Sequence, residues 1–196
     1  MGRPRARPDQ QATTERLLAA AELEFGRVGF AAARLQDIGK RAGISRPSLL
    51  YHFKSKDELY AAVVHGAFAR MGAAIAESTD LDAALPERID ALVNGYLRFI
   101  HANPAVARLV LREVVDGKGP GRALMLREAV PVLELIEGFL RRSAKGALRP
   151  GVPLRQAVLA VAFSAMVRAA AEELRDPLFG PKDHTPTLAR MVLLRS

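Results

Sequence analysis

The chain has 196 residues, enough for one large domain or for a small domain followed by a larger one. Hydrophobic residues make up 49% of it and charged residues 26%, a balance that supports a packed core. Cysteine is absent, which excludes disulfides and thiolate metal sites. No apolar run reaches the roughly 18 residues of a membrane span, and the first residues lack the apolar stretch of a signal peptide. We therefore expect a soluble, cytoplasmic protein with no membrane partner.

The net charge of +8 is concentrated near the N-terminus. Residues 1–56 hold eleven Arg and Lys against five Asp and Glu, a balance of +6, whereas residues 57–196 contribute only +2. Within residues 34–56 there are six bases and one acid. A basic stripe of this kind is typical of a surface that binds phosphates, although a solvated basic face without a partner has the same composition.

The hydrophobic periodicity predicts helices throughout and shows no alternating strand pattern. A first helix is predicted over residues 9–28 and is ended by Gly29, where a left-handed cap is easily formed. A short second helix covers residues 35–42 and is ended by Gly43. Ser45 then caps a third helix.

A capping box at residues 55–58 begins a long fourth helix. Proline and glycine clusters divide the second half into further helices, which gives an all-α protein of about nine helices. One of these helices contains Pro131, which marks either a kink or a boundary. Residues 154–175 are predicted as a very apolar helix, and a last short helix contains residues 188–194. The breaks between these helices lie at Pro86, Asn103-Pro104, residues 117–121, residues 150–153 and residues 177–186.

Residues 34–53 match the helix-turn-helix pattern of a short helix, a tight glycine turn and a second helix. The side chains predicted to form the buried seam between the two helices are Ile38, Ala42, Ile44, Leu49 and Phe53. Those predicted to face outward on the second helix are Arg46, Pro47, Ser48, Tyr51 and His52. Donors and an aromatic hydroxyl in this arrangement favour contacts with a DNA major groove and its phosphates.

The segment from Leu35 to Leu59 resembles the signature of the tetracycline-repressor (TetR) family. The matching parts are the DI..RAGIS turn, the YHF that follows it and the KSKDEL that begins the fourth helix. The resemblance covers about residues 10–60, and the remainder is similar only in helix count and length. It implies a helix-turn-helix DNA-binding domain at residues 1–56. A helical domain at residues 57–196 would bind a small molecule and form a homodimer through its last two helices.

Carried over residue by residue, the resemblance implies a surface for a palindromic DNA operator. Base-edge contacts are expected from the beginning of the third helix, and phosphate contacts from its end and the following turn. The base contacts fall on Arg46, Pro47 and Ser48, and the phosphate contacts on Tyr51, His52 and Lys56. The whole surface comprises Arg34, Gln36, Ser45, Arg46, Pro47, Ser48, Tyr51, His52, Lys54 and Lys56.

One residue of this surface and the arm that precedes it have alternative interpretations. His52 contacts DNA or simply caps the end of its own helix. Arg3, Arg5 and Arg7 form either an arm that enters a minor groove or a solvated tail. Arg34 replaces the hydroxyl residue that usually caps the second helix in this family, so the cap is lost and a cation is gained.

The C-terminal half contains apolar helices that are interrupted by a few polar residues. We expect these helices to enclose an apolar or aromatic effector, with or without a carboxylate. The predicted lining is Phe68, Met71, Tyr96, Phe99, Arg108, Arg112, Phe163 and Arg168. A buried guanidinium needs an anionic partner, so Arg168 pairs with a ligand carboxylate, a glutamate of the same chain or one across the dimer seam.

Catalytic and cofactor motifs are missing from the sequence. The four histidines are widely spaced, and no H-E-x-x-H, G-x-S-x-G, P-loop or dinucleotide pattern occurs. We therefore expect no enzyme activity, no cofactor and no metal site. The sequence predicts a ligand-responsive transcriptional regulator, most simply a repressor. The alternative is an architectural DNA-binding protein without an effector, and an internal pocket in the C-terminal half distinguishes the two.

Overall fold

The computed structural model describes residues 8–78, 83–116, 120–143 and 146–195. Across these residues the chain forms ten α-helices and one short 3₁₀ helix, so the predicted all-α fold is confirmed with one helix more than expected. One isolated antiparallel bridge, between Leu148 and Leu194, is the only strand-like pairing in this part of the chain. The elements are α1 (Pro8–Ala32), α2 (Leu35–Ala42), α3 (Arg46–His52), α4 (Lys56–Ala76), α5 (Leu85–Ala102), α6 (Pro104–Asp116), α7 (Gly121–Ser143), α8 (Leu154–Ala170), η1 (Glu172–Leu174), α9 (Arg175–Phe179) and α10 (Thr185–Leu193).

The caps predicted around the helix-turn-helix are present. Gly43 ends α2 with φ 71° and ψ 30°, a left-handed conformation that costs glycine little. The Ser45 hydroxyl accepts from the Ser48 N–H at 3.3 Å and so caps α3. The Ser55 hydroxyl accepts from the Glu58 N–H at 3.0 Å at the start of α4. These local bonds fix the angle between α2 and α3 and the direction of the chain that follows.

Three helices differ from their predicted bounds. Gly29 interrupts α1 with φ 79°, but one further helical turn follows it. The apolar helix α8 ends at Ala170 instead of residue 175, because Glu172 adopts φ 48° and turns the chain toward Arg108. Pro131 is not a boundary, since α7 runs through it as one helix.

The larger of two hydrophobic clusters joins α1–α4 to α6 and to parts of α5, α7 and α8. The smaller cluster lies between α5, α7, α8 and α10. Helix α6 packs closely along α1: a Cβ on Gly26 would stand only 2.6 Å from the Ala105 carbonyl oxygen. A side chain at Gly26 would therefore push the two helices apart.

Helix α4 lies at the centre of the larger cluster, where Leu59, Tyr60, Val63 and Val64 are buried. By length and composition it is apolar enough to cross a membrane. A helix in the middle of a protein core meets the same criteria, and the buried face of α4 accounts for its composition. Because α4 packs against α1 as well as against α5 and α7, the predicted domain division at residues 56–57 stays a prediction.

Candidate DNA-binding surface and ligand pocket

Helix α3 has one buried side and one exposed side. Leu49 is fully buried and Phe53 nearly so, and both belong to the larger core cluster. On the opposite side Arg46, Pro47, Ser48 and Tyr51 are exposed, and Tyr51 has 78% of its surface accessible. No described residue forms a hydrogen bond or an ion pair with the Arg46 guanidinium or the Tyr51 hydroxyl. These groups are therefore available to an external partner.

The other predicted contact residues surround this face. Arg34, Gln36, Ser45 and Lys54 are exposed. Arg34 occupies the N-cap of α2 without a side-chain hydrogen bond to the helix, as its side-chain type predicts. The predicted arm of Arg3, Arg5 and Arg7 lies outside the described residues.

His52 is half-buried, and its Nδ1 lies 3.1 Å from the Thr14 hydroxyl oxygen of α1. This bond differs from both sequence-based interpretations, a DNA contact and a cap on its own helix. It ties the end of α3 to α1, and so helps hold the exposed face of α3 in a fixed position.

Lys56 has a different role from the predicted phosphate contact. Its ammonium donates to the carbonyl oxygens of Phe30, Ala31 and Ala33 at 2.8, 3.2 and 3.0 Å. It also lies 4.5 Å from the centre of the Phe30 ring. An ammonium has three N–H donors, and three carbonyl groups at the end of α1 already accept from it. Lys56 is therefore a cap on α1 in this structure, and its predicted phosphate contact stays a prediction.

We expect Lys56→Met to lower the free energy of unfolding by about 1–3 kcal/mol, because it leaves three carbonyl groups without their charged donor. Lys54→Met is the matched control, since the Lys54 side chain is exposed and makes no such bonds. Urea denaturation followed by circular dichroism measures both variants. Equal stabilities of the two variants would contradict the capping role.

A buried carboxylate lies beside the helix-turn-helix. Glu24 of α1 is only 3% exposed, and Arg27 donates to its two oxygens at 2.7 and 3.3 Å. Arg41 of α2 approaches the same carboxylate at 3.5 Å. The hydrogen bond from Arg27 lowers the pKa of Glu24 below its usual value, against the opposing effect of burial. This ion pair holds α2 against α1. It also neutralises part of the positive charge that Arg41 contributes to the basic stripe.

An apolar cavity of about 310 Å³, partly open to solvent, lies among the C-terminal helices. Four of the predicted lining residues are present in its wall: Phe68, Met71, Tyr96 and Phe163. Tyr96 carries the one hydroxyl of the lining, and it donates to the Ala162 carbonyl oxygen at 2.9 Å. The prediction missed a long series of aliphatic residues on α7 and α8, because aliphatic pocket lining and ordinary core have the same sequence pattern. The missed residues on these helices include Ala129, Val132, Leu133, Ile136, Leu140, Val158 and Val161.

The other four predicted lining residues are not in the cavity wall. Phe99 is buried in the larger core cluster. Arg108 pairs with Glu172 at 2.5 Å, and Arg112 donates to two carbonyl oxygens of α1 at 3.3 and 3.0 Å. The prediction was wrong for the arginines because each guanidinium meets an acceptor that is distant in sequence.

Arg168 is the fourth of these residues, and its anionic partner is Asp183 of the same chain, at 3.5 Å. The partner is thus an aspartate, and neither the predicted glutamate nor a ligand. His101 lies 3.3 Å from the same carboxylate, and Thr185 donates to its other oxygen. The Arg168 group therefore fixes the segment between α9 and α10 against α8.

Helix α6 contacts both the cavity and α1. Val110 and Val114 of α6 line the cavity, whereas Arg112 bonds to the α1 carbonyl groups. The adjacent Glu113 accepts from the Tyr60 hydroxyl of α4 at 2.5 Å, and burial together with this bond raises the pKa of Tyr60. Tyr60 in turn packs edge-on against Phe25 of α1. A change in the cavity wall on α6 is therefore within two residues of contacts with α1 and α4.

Two family models match the chain, one near each end. Residues 17–63 match the model described as bacterial regulatory proteins, tetR family, and residues 86–192 match the tetracyclin repressor-like C-terminal domain. The chain belongs to the TetR family of bacterial regulatory proteins. This is a family of regulators and not of enzymes, in agreement with the expectation from the sequence.

Curated relatives match over shorter stretches. The HTH-type transcriptional activator FasR of Mycolicibacterium smegmatis is 31% identical over 103 residues, which is 53% of this chain and 47% of the relative. The HTH-type transcriptional regulator RutR of Escherichia coli is 46% identical over 48 residues, 24% of this chain and 23% of the relative. The chain thus spans less than half the length of either relative.

Solved structures match over nearly the whole chain. A TetR family transcription regulator from Marinobacter aquaeolei superposes with a TM-score of 0.73 and 19% identity, covering 97% of this chain and 100% of that one. The fatty acid degradation regulator FadR from Bacillus halodurans gives a TM-score of 0.70 and 15% identity, with 97% of each chain covered. At this level of identity the two likenesses establish the fold alone.

Proposed function

We propose that the protein is a cytoplasmic transcriptional repressor that binds a palindromic DNA operator as a homodimer and is released by a small hydrophobic effector. The observation that carries the proposal is the exposed face of α3, where Arg46, Ser48 and Tyr51 have polar groups free for an external partner. A helix with this face, capped at Ser45 and backed by a buried Leu49, suits insertion into a major groove.

In the proposed complex the beginning of α3 contacts bases and its periphery contacts phosphates. Arg46 offers a fork of donors that matches guanine, and Pro47 and Ser48 lie next to it. Phosphate contacts are assigned to Tyr51 and Lys54, with His52 held nearby by Thr14. Arg34 and Gln36 lie at the start of α2, where they would reach the DNA backbone.

The proposed dimer forms through α8 and α10. In the single chain, α10 turns Ala189 and Leu193 inward, whereas Leu188, Met191 and Val192 are exposed. Val167 is exposed on α8. An isologous pairing of the two helices with their copies would bury these apolar side chains.

The effector site of the proposal is the apolar cavity. An architectural protein has no use for such a cavity, so that alternative is not favoured. Binding to the cavity would shift the protein toward a form whose two α3 helices are wrongly spaced for DNA. Since linkage is reciprocal, operator DNA must weaken effector binding by the same factor by which effector weakens DNA binding.

Whether the protein represses or activates transcription is the part of the proposal that rests on the family. The relative FasR is named an activator, so activation is the alternative to test. A reporter gene behind the operator separates the two directions. Repression predicts that deleting the regulator raises reporter expression, and an activator would give a fall.

The first test is salt-sensitive binding to a duplex. A genome-wide binding selection supplies the operator, and fluorescence anisotropy measures the affinity. With about 6–10 phosphate contacts, affinity should fall by roughly 10³–10⁵ between 50 and 200 mM salt. A flat response to salt would contradict DNA binding through the basic N-terminal surface.

A second test separates base contacts from phosphate contacts. Arg46→Ala should cost about 1–3 kcal/mol of operator affinity and relax the sequence preference at one operator position. Arg141→Ala is the matched control, because Arg141 is exposed near the end of α7, far along the chain from α3. If Arg46→Ala weakened all sequences equally, Arg46 would be a phosphate contact and not a base contact.

A further inference from the structure

The cavity wall contains no charged side chain among its described residues. Every lining residue is aliphatic, aromatic or a methionine, and only Tyr96 among them has a polar side-chain atom. Its hydroxyl already donates to the Ala162 carbonyl oxygen. A charge placed inside the cavity would lose its water and find no partner, which costs more than an apolar contact gains. The enclosed part of any ligand is therefore uncharged.

The cavity is elongated along α7. Its lining on this helix runs from Met125 to Leu140, which corresponds to about 22 Å of helix axis. The lining includes members of both core clusters, such as Phe68 on α4 from the larger cluster and Leu193 on α10 from the smaller one. A space of about 310 Å³ spread along such a length is narrow, so it suits a chain better than a compact ring system.

The two ends of the lining differ in exposure. Val114 on α6 and Leu126 on α7 are each 57% exposed and lie at one end. At the other end Leu140, Ala189 and Leu193 are almost completely buried. The lining is thus most exposed between α6 and α7, which we call the mouth, and most buried beside α10, which we call the closed end.

We propose that the effector is an unbranched hydrocarbon chain with a polar group at one end only. Its methyl end lies among Leu140, Ala189 and Leu193, and its polar end stays in water between Val114 and Leu126. This inference rests on the proposed function, since it specifies the ligand of the same cavity.

Three ligands of equal chain length test the chemistry: dodecanol, dodecanoic acid and dodecanedioic acid. Isothermal titration calorimetry below the micelle concentration is expected to show binding of the first two. The diacid must carry a second carboxylate into the closed end, and should bind more than about tenfold more weakly. Equal binding of the monoacid and the diacid would overturn the proposed orientation.

Two phenylalanine variants test the location. Val158 lines the cavity and packs with the smaller cluster, so Val158→Phe should fill the closed end. Dodecanoic acid should then bind more than about tenfold more weakly, and the preference should move to octanoic acid. Val115→Phe is the matched control, because Val115 is 80% exposed and outside the lining. Operator binding without ligand verifies that both variants are folded.

The outcomes separate this inference from the proposed function. Naphthalene serves as a compact ligand. If it binds while the three chain compounds do not, the proposal of a chain-shaped effector is wrong, but the proposal of an effector-responsive regulator is kept. If none of the four compounds binds, the inference fails, while salt-sensitive operator binding still tests the DNA-binding function. Unchanged affinity in Val158→Phe overturns the assignment of the closed end.

Discussion

Replacing Met191 with glutamate is expected to give folded monomers that bind the operator about 10²–10⁴-fold more weakly than the wild type, because a dimer gains this factor by holding two half-sites together. Met191 is 62% exposed on α10, next to Leu188 and Val192 on the same proposed seam. A carboxylate there would have to lose its water when two copies meet, and it would face its own symmetry mate. Analytical ultracentrifugation measures the mass, and anisotropy measures the affinity.

Two other glutamate variants make this experiment specific. Leu135 is similarly exposed, but it lies on α7 outside the proposed seam, so Leu135→Glu should remain a dimer. Ala165 lies on α8 but is fully buried within the chain, so Ala165→Glu should fail to fold instead of giving monomers. A Met191→Glu protein that stays dimeric would show that the seam lies elsewhere.

Removing both arginines around Glu24 is expected to lower the free energy of unfolding at pH 7, because a carboxylate that is only 3% exposed then loses both of its charged partners. The double variant is Arg27→Met with Arg41→Met. Glutamine at position 24 in the same background should restore most of the loss, since it removes the unpaired charge and keeps the shape. Urea denaturation measures all three proteins.

The pH dependence of this loss has a definite sign. In the wild type the pKa of Glu24 is lowered, so the pair stabilises the fold above the unfolded value of about 4.3 and loses this effect as the pH falls through the folded pKa. In the double variant burial alone acts on the carboxyl and favours its protonated form. The stability gap between the two proteins should therefore be largest near neutral pH and should close in acid. A gap that is constant with pH would mean that lost packing, and not charge, causes the effect.

The parts of the fold that the sequence predicted correctly depend on residues close together in the chain. Ser45 caps a nitrogen three residues later, and Gly43 needs only its own conformational freedom to end α2. The buried seam of α2 and α3 follows from helical periodicity, which places Ile38 and Leu49 in the core. Each of these features depends on residues within one or two helical turns of one another, so it can be predicted from the local sequence.

The features that were missed depend on partners far along the chain. Lys56 bonds to a carbonyl 26 residues away, and Arg112 to one 86 residues away. The sequence shows that these cations exist but not which acceptor lies beside them. It therefore predicts a phosphate as the partner of Lys56 and a ligand as the partner of Arg112, where the structure has backbone carbonyl groups. Only four of the eight predicted lining residues are in the cavity wall, because the lining also depends on contacts between distant parts of the chain. Whether an aliphatic residue such as Leu133 contacts other side chains or an open space depends on the packing of six helices.

The contact between Gly26 and Ala105 limits how the two halves of this protein can diverge during evolution. The lining contributed by α7 and α8 can change its size and shape at little cost to α1, so new ligands can be accommodated there by single substitutions. Residues on α6 have less freedom, because the helix that supplies Val110 and Val114 also rests on the backbone of α1. Selection for a new effector should therefore alter α7 and α8 first. A change on α6 alters the position of the DNA-binding helices together with the ligand.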